Sequence, residues 1–153
     1  MYNQRIVVRP ARSNDAEVVA KAVAMAIGDE VALQNYCGAE YLDVLAEIAR
    51  REATQYSWQY ALVAEVDGVT AGAVVGYDGA RLSELREGTF AVLRERTGHI
   101  PVVADETEAG EYYLDSVGVL PEFRGCGVGQ ALVTAFCDRA FAEGHERVGL
   151  IVD

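Results

Sequence analysis

Arg124-Gly125-Cys126-Gly127-Val128-Gly129 sets a fixed positive charge beside three alternating glycines. The surrounding stretch from Glu111 to Gln130, EYYLDSVGVLPEFRGCGVGQ, reads as a strand, a short arched loop and the first turn of a helix. Backbone N–H groups at the start of a helix have no intrahelical acceptor and bind anions. Glycines let the main chain approach a phosphate with no Cβ in the way. Arg124 adds a planar guanidinium suited to phosphate oxygens. The expected chemistry is capture of a phosphate-bearing ligand between strand 111–119 and helix 127–143.

Three kinds of glycine loop compete. A Walker A loop needs Lys-Ser or Lys-Thr after its last glycine, and Gly129 is followed by Gln130 and Ala131. A dinucleotide fingerprint needs G-x-G-x-x-G, and the sixth positions here are Gln130 or Leu132. Asp153, after the apolar run VGLIV, stands where a ribose-binding acid would serve an oxidoreductase of that type. Its loop begins right at the strand end, whereas Leu120 to Arg124 intervene here. The third pattern, R/Q-x-x-G-x-G/A after an apolar strand ending V-x-V, fits Arg124 to Gly129 with Val117 and Val119.

That pattern resembles the acetyl-CoA loop of the GCN5-related N-acetyltransferases, or GNAT superfamily. The likeness is strong over 111–153 and weaker over 5–77. It implies an α/β (α+β) fold with a mixed, mostly antiparallel central sheet, flanking helices, and splayed strands four and five. It implies transfer of an acetyl group from acetyl-CoA to a primary amine of a small molecule or peptide. The pyrophosphate would lie on the loop of Arg124, Gly125, Cys126, Gly127, Val128, Gly129 and Gln130. The pantetheine arm would pair with the strand at Val117, Gly118 and Val119. No metal is expected.

Acetyl transfer to an amine needs a neutral nucleophile, and therefore a base or a water chain to take its proton. It also needs a backbone N–H for the oxyanion, and a bulge near Val117 would free one. For the base, Glu111 and Asp115 share a strand face with Tyr113, Val117 and Val119 if the period of two holds. Asp115, nearer the bend, is preferred over Glu111; a structural carboxylate bonded to loop amides is the competing role. Cys126 stands where the family more often has a basic or polar residue. Its thiol faces either solvent or an activating set of amides. The first two helices wall the acceptor pocket in the family, which makes Glu30, Tyr36 and Tyr41 acceptor candidates. Core or surface roles compete for all three.

The elements that must position these groups follow in order. Strand Arg5–Arg9 stops at Pro10, and Ser13-Asn14-Asp15 forms an N-cap cluster for a helix closed by Gly28. Residues 29–40 read as irregular. A second helix spans Glu40 to Thr54, with Tyr41, Leu42, Leu45, Ile48 and Ala49 on one face. A strand from Trp58 to Val66, a turn at Asp67-Gly68 and a return strand to Tyr77 form a hairpin. A helix over 80–97, interrupted at Gly88 and ended by Gly98, leads to the acidic loop 105–111. This insertion around 78–110 is outside the family's minimal pattern. It would cover the acceptor site or meet a second subunit. Helix 127–143 buries Val128, Leu132, Ala135, Phe136 and Ala140, and an apolar strand 146–152 follows.

The 153 residues, 51% apolar, suffice for one domain with a core. A net charge of −11 opposes a nucleic-acid surface. No apolar run approaches the roughly 18 residues of a membrane span. Three cysteines without metal spacing suit a reducing cytoplasm. The family pattern continues past a position equivalent to Asp153 with a tyrosine-bearing helix and a closing hairpin. The expectation is therefore a fragment, or a homodimer that covers strand 146–152. A coenzyme A-binding module without turnover is the alternative function, and a dinucleotide-binding oxidoreductase the third.

Overall fold

The computed structural model describes residues 5–101 and 111–149. A five-stranded sheet runs in the order β1-β2-β3-β4-β5. β1 is Ile6–Pro10, β2 Ala61–Val66, β3 Val69–Asp78, β4 Glu111–Val119 and β5 Arg147–Gly149. The first four strands pair antiparallel, and β5 joins β4 in parallel through Glu111↔Arg147, Tyr112↔Val148 and Tyr113↔Gly149. Residues 150–152 of the expected last strand lie outside the described residues, as does most of the acidic loop. Helices α1 (Ala16–Ile27) and α3 (Tyr41–Arg50) cover one side of the sheet region, and α5 (Val128–Ala142) packs on the opposite face.

The central strands read as apolar on both faces because both faces are covered. Val63, Ala73 and Val75 enter the cluster with α1 and α3, whereas Leu62, Ala64 and Val74 enter the cluster with α5. The hairpin turn falls at Asp67-Gly68, whose φ values of 49° and 85° are those of a tight primed turn. Residues 58–60 form a short 3-10 turn, so β2 starts later than its aromatic composition predicts.

Two expectations for the N-terminal half need correction. Residues 29–40 are not irregular: α2 runs Glu30–Cys37, started by Asp29, whose carboxylate accepts from the Val31 amide at 3.0 Å. The next helix is shorter than expected, since α3 ends at Arg50. Asp15 is also not a simple cap. Its carboxylate turns back to accept from the Arg12 amide at 2.7 Å and from Arg9 Nη1 at 2.8 Å, while Arg9 Nε reaches Glu65 at 2.9 Å. The turn before α1 is thereby tied to β1 and β2.

The Arg9 guanidinium holds the Asp15 carboxyl below its ordinary value. A lowered carboxylate pKa stabilises the fold fully above the unfolded-state value, and that contribution is lost as pH falls below it and through the folded-state value. Asp15→Ala should therefore cost about 1.5–3 kcal/mol at pH 7, the range for hydrogen bonds to charged groups. Urea unfolding at pH 7 and at low pH checks this. The difference between variant and parent should shrink as the medium becomes more acidic than the ordinary aspartate value of 3.8.

Helix α4 (Leu82–Thr97) runs through Gly88 without interruption. Glycine is required there by packing, since a Cβ would collide with the backbone carbonyl of Ala53. Gly98, at φ 71°, ends the helix as expected.

Candidate active site

β4 carries the site, and one irregularity in its pairing decides where its side chains go. Val75 pairs with Ser116 and Gly76 with Leu114, which leaves Asp115 without an opposite residue. This is a β-bulge, and a bulge reverses the face alternation beyond it. Before it, Tyr112 and Leu114 pack with α5; after it, Val117 and Val119 do. The expectation that Asp115 shares a face with Val117 and Val119 is thus corrected. An unbroken period of two does not survive the extra residue. Asp115 and Ser116, adjacent in sequence, instead both line one cavity on the other face.

That cavity holds about 560 Å³. Ala26 and Ile27 from α1, Tyr36 from α2, Phe90 from α4 and Tyr56 from the segment after α3 form its walls. α1 reaches this position because β4 offers it a bare backbone at Gly118, where a Cβ would lie 2.7 Å from Ala22 Cα. The Asp115 carboxylate accepts from Tyr77 Oη at 2.8 Å and from Ser116 Oγ at 3.0 Å. The hydroxyls of Tyr36 and Tyr56 meet at 3.1 Å. Burial pushes the phenols of Tyr36, Tyr56 and Tyr77 above their ordinary value, which keeps them protonated.

The three acceptor candidates separate. Tyr36 lines the cavity with Asp115, whereas Glu30 and Tyr41 line a second recess of about 530 Å³ beside Arg124. Glu30 begins α2 and Tyr36 stands near its end, about 9 Å further along the axis at the usual helical rise. Glu111 also departs from Asp115. Its carboxylate fills the space that a Gly149 Cβ would need, and it is not among the residues lining the cavity.

The glycine loop leads from β4 into α5. Gly125 and Gly127 have φ values of 81° and 87°, a left-handed conformation that side chains rarely adopt. Gly127 is the residue before α5 and caps it with no side-chain bond. Among the described residues, the amides of 125–130 make no bond to a protein acceptor. Gly129 is different from the other two glycines. Its backbone is helical, and an added Cβ would find only Val119 Cγ2 at 3.6 Å, an ordinary contact. Nothing in the protein demands a glycine there. Arg124 lies along the loop, donating to Val119 O at 3.3 Å and resting against Met25 Sδ. Cys126 Sγ lies 3.9 Å from Arg124 O. Val117 and Val119 sit beneath, packed toward Val128 and Leu132 of α5.

Beyond Tyr113 the β5 side of β4 carries no strand pairing among the described residues. The stretch 114–119 therefore has β3 on one side only in the described sheet.

Residues 31–153 match the model of the acetyltransferase (GNAT) family. The chain belongs to this family. Its fold is similar to that of a crystallised acetyltransferase with 29% identity and a TM-score of 0.80, over 96% of this chain and 80% of that one. An N-acetyltransferase from Staphylococcus aureus Mu50 is similar at 21% identity and a TM-score of 0.72, over 87% of this chain and 75% of that one. A GNAT family acetyltransferase from Brucella melitensis, solved in complex with acetyl-CoA, shares the fold at 20% identity and a TM-score of 0.55, over 99% and 78% of the two chains. No curated protein sequence matches significantly. The mixed sheet with one parallel pair is the GNAT arrangement that the sequence resemblance implies.

Sequence reasoning missed Gln55, Tyr56, Arg86 and Ser116, which line the cavity, and Tyr77, which bonds Asp115. Tyr77 sits in an apolar strand and looks like plain core. Gln55 and Tyr56 lie between elements, where no periodicity marks them.

Proposed function

We propose that the chain transfers an acetyl group from acetyl-CoA to a primary amine of a small molecule or peptide. The observation that carries this reading is the juxtaposition on β4: a carboxylate in a cavity at the bulge, and a loop of free amides at the strand's end.

The residues fit the cofactor. The amides of 125–130, with Arg124, form a cradle for a diphosphate. With no Cβ at Gly125, Gly127 or Gly129, the loop backbone allows close approach of its oxygens. Val117, Gly118 and Val119 offer backbone for the pantetheine arm. When bound, acetyl-CoA supplies the activated thioester. The family's solved complex with acetyl-CoA supports the choice of ligand.

The chain's own groups then divide the work. The Asp115 carboxylate takes the proton of the incoming ammonium, directly or through a water, because only the neutral amine attacks. The outward amides of the strand beyond the bulge would donate to the oxyanion, and as the C–N bond forms and the C–S bond breaks the second amine proton would pass to the departing coenzyme A thiolate. Tyr36 and Tyr56 remain neutral and orient the acceptor by hydrogen bonds. Phe90 and Ile27 exclude water from one side of the cavity. Glu30 and Tyr41 serve the recess beside Arg124. Glu111 is assigned the lesser role of holding the β4–β5 pair.

A panel of small primary amines and peptide N-termini, with free thiol followed over time, tests the reading. Amine-dependent thiol release is expected; binding of acetyl-CoA with no release for any amine would make the chain a coenzyme A-binding module instead. Arg124→Ala should weaken coenzyme A by about 1.5–3 kcal/mol if the guanidinium bonds a phosphate oxygen. Calorimetric titration reads that loss directly, and unchanged affinity would place the phosphates elsewhere.

A further inference from the structure

Tyr77 stands on β3 next to the bulge and is 1% exposed. Its ring is held edge-on to Tyr113, with centroids 5.8 Å apart. Its hydroxyl lies between two partners: Gln55 Nε2 at 3.4 Å and Asp115 Oδ2 at 2.8 Å. Gln55 is fixed in turn by α4, since its backbone amide donates to Thr89 Oγ1 at 3.0 Å. Thr89 closes the chain by donating to Leu85 O at 3.3 Å.

We propose that Tyr77 is a positioning residue for the acetyl transfer, holding the Asp115 carboxylate in its proton-accepting form and orientation, and that α4 sets Tyr77 through Thr89 and Gln55. This rests on the reading of Asp115 as the proton acceptor.

The direction of the chain follows from proton counting. An ionised carboxylate only accepts, so the one phenolic proton must point at Asp115. The phenol oxygen is then left to accept, and Gln55 Nε2 is a donor in the matching place. A donor aimed at a carboxylate favours its charged form. Ser116 Oγ takes the other oxygen, Oδ1, at 3.0 Å. The carboxylate is thereby held by both oxygens, on the wall of the cavity. The bulge makes this possible, because it turns Asp115 toward Tyr77 where regular pairing would give it an opposite residue.

Other groups face the same carboxylate. Tyr36 from α2, Tyr56 from the segment after α3 and Arg86 from α4 line the cavity with it, and Tyr113 precedes it on its own strand. Tyr36 and Tyr56, which line the cavity, and the buried Tyr77 are all driven toward the neutral form by burial. Among them Tyr77 makes the 2.8 Å bond to Asp115. A purely structural tyrosine would need its ring, but not a proton aimed at this carboxylate.

Tyr77→Phe keeps the ring and removes the donor. The titration midpoint of the Asp115 carboxyl carbon, read by carbon NMR in the free protein and assigned with Asp115→Asn, should rise by about one unit or more, the shift a charged hydrogen bond implies. The acid limb of the kcat profile should move up with it, while KM for acetyl-CoA stays within about twofold, since the loop 124–130 is untouched. Gln55→Leu, which leaves Tyr77 in place and frees its hydroxyl to turn, should move the midpoint in the same direction by less. It serves if Tyr77→Phe does not fold. An unmoved midpoint in a folded variant would overturn the proposal. The two readings fail separately. If Asp115→Asn retains full activity, Asp115 is not the proton acceptor, and the positioning role falls with it even though the NMR shift persists. If Asp115→Asn is impaired and Tyr77→Phe changes neither midpoint nor profile, only the positioning role is lost.

Discussion

Gly129→Ala is expected to leave the fold as stable as before, or more stable, and still to weaken coenzyme A binding by at least about tenfold, the effect of roughly 1.4 kcal/mol. Alanine is favoured over glycine inside a helix by about 0.8–1.0 kcal/mol. Gly129 lies in the first turn of α5, and its added methyl would meet only Val119 Cγ2 at 3.6 Å. The protein therefore gains from the change, and any loss must come from the ligand. A helical Cβ tilts toward the helix N-terminus, so the methyl is expected to crowd the turn that carries the amides of 125–130 and to hold phosphate oxygens away from them. Gly127→Val should abolish binding too, but its φ of 87° makes that variant strained whatever the ligand does. Gly129 is the cleaner position for this reason. Thermal unfolding and calorimetric titration on the same sample separate the two effects. Loss of stability, or retained affinity within a factor of two, would count against a ligand-driven glycine.

Asp115→Asn should lower kcat/KM at neutral pH by about 10²–10⁴, the usual contribution of a positioned general base. The amide can still accept from Tyr77 at one oxygen, so the bulge and the cavity should persist. Acetyl-CoA affinity should change little, because the loop lies at the far end of β4 from the carboxylate. The deficit should also narrow as pH rises, since more of the amine is then neutral before it binds. A variant with the parent's rate at every pH would move proton removal to solvent. Glu111 is a poor substitute in either case, as its carboxylate lies over Gly149.

The parts of this site that were legible in the sequence are those that local chemistry decides. Arg124 and the glycines at 125, 127 and 129 announce a loop with outward amides because both the φ values and the amides are properties of a few adjacent residues. The strand before it and the apolar face of α5 follow from short periodicities, and Leu132 and Phe136 are buried where those place them. Even the need for a bulge near Val117 could be argued from the chemistry.

What stayed hidden depends on partners distant in sequence. The bulge falls at Asp115 because of how β4 registers against β3, and that register is not written in either strand alone. Missing it reverses the face assigned to Val117 and Val119. α2 was hidden for a different reason. Its eight residues are too few to show a periodicity, and its strongest signal is a single cap, Asp29. The cavity walls come from α1, α2, α4 and the segment after α3, so no one stretch marks them. Gly88 shows the converse error. It reads as a break in α4, yet it is there because the Ala53 carbonyl packs against the helix backbone.

The account stands most directly on the claim that the free amides of 125–130 receive a diphosphate. Amide proton–nitrogen spectra of the chain, recorded while coenzyme A is added, test it residue by residue. The account predicts saturable shifts that are largest at 125–130, continue along β4 from 114 to 119, and are absent at the C-terminal end of α3 around Arg50. Shifts confined to other regions, or none at millimolar coenzyme A, would contradict it.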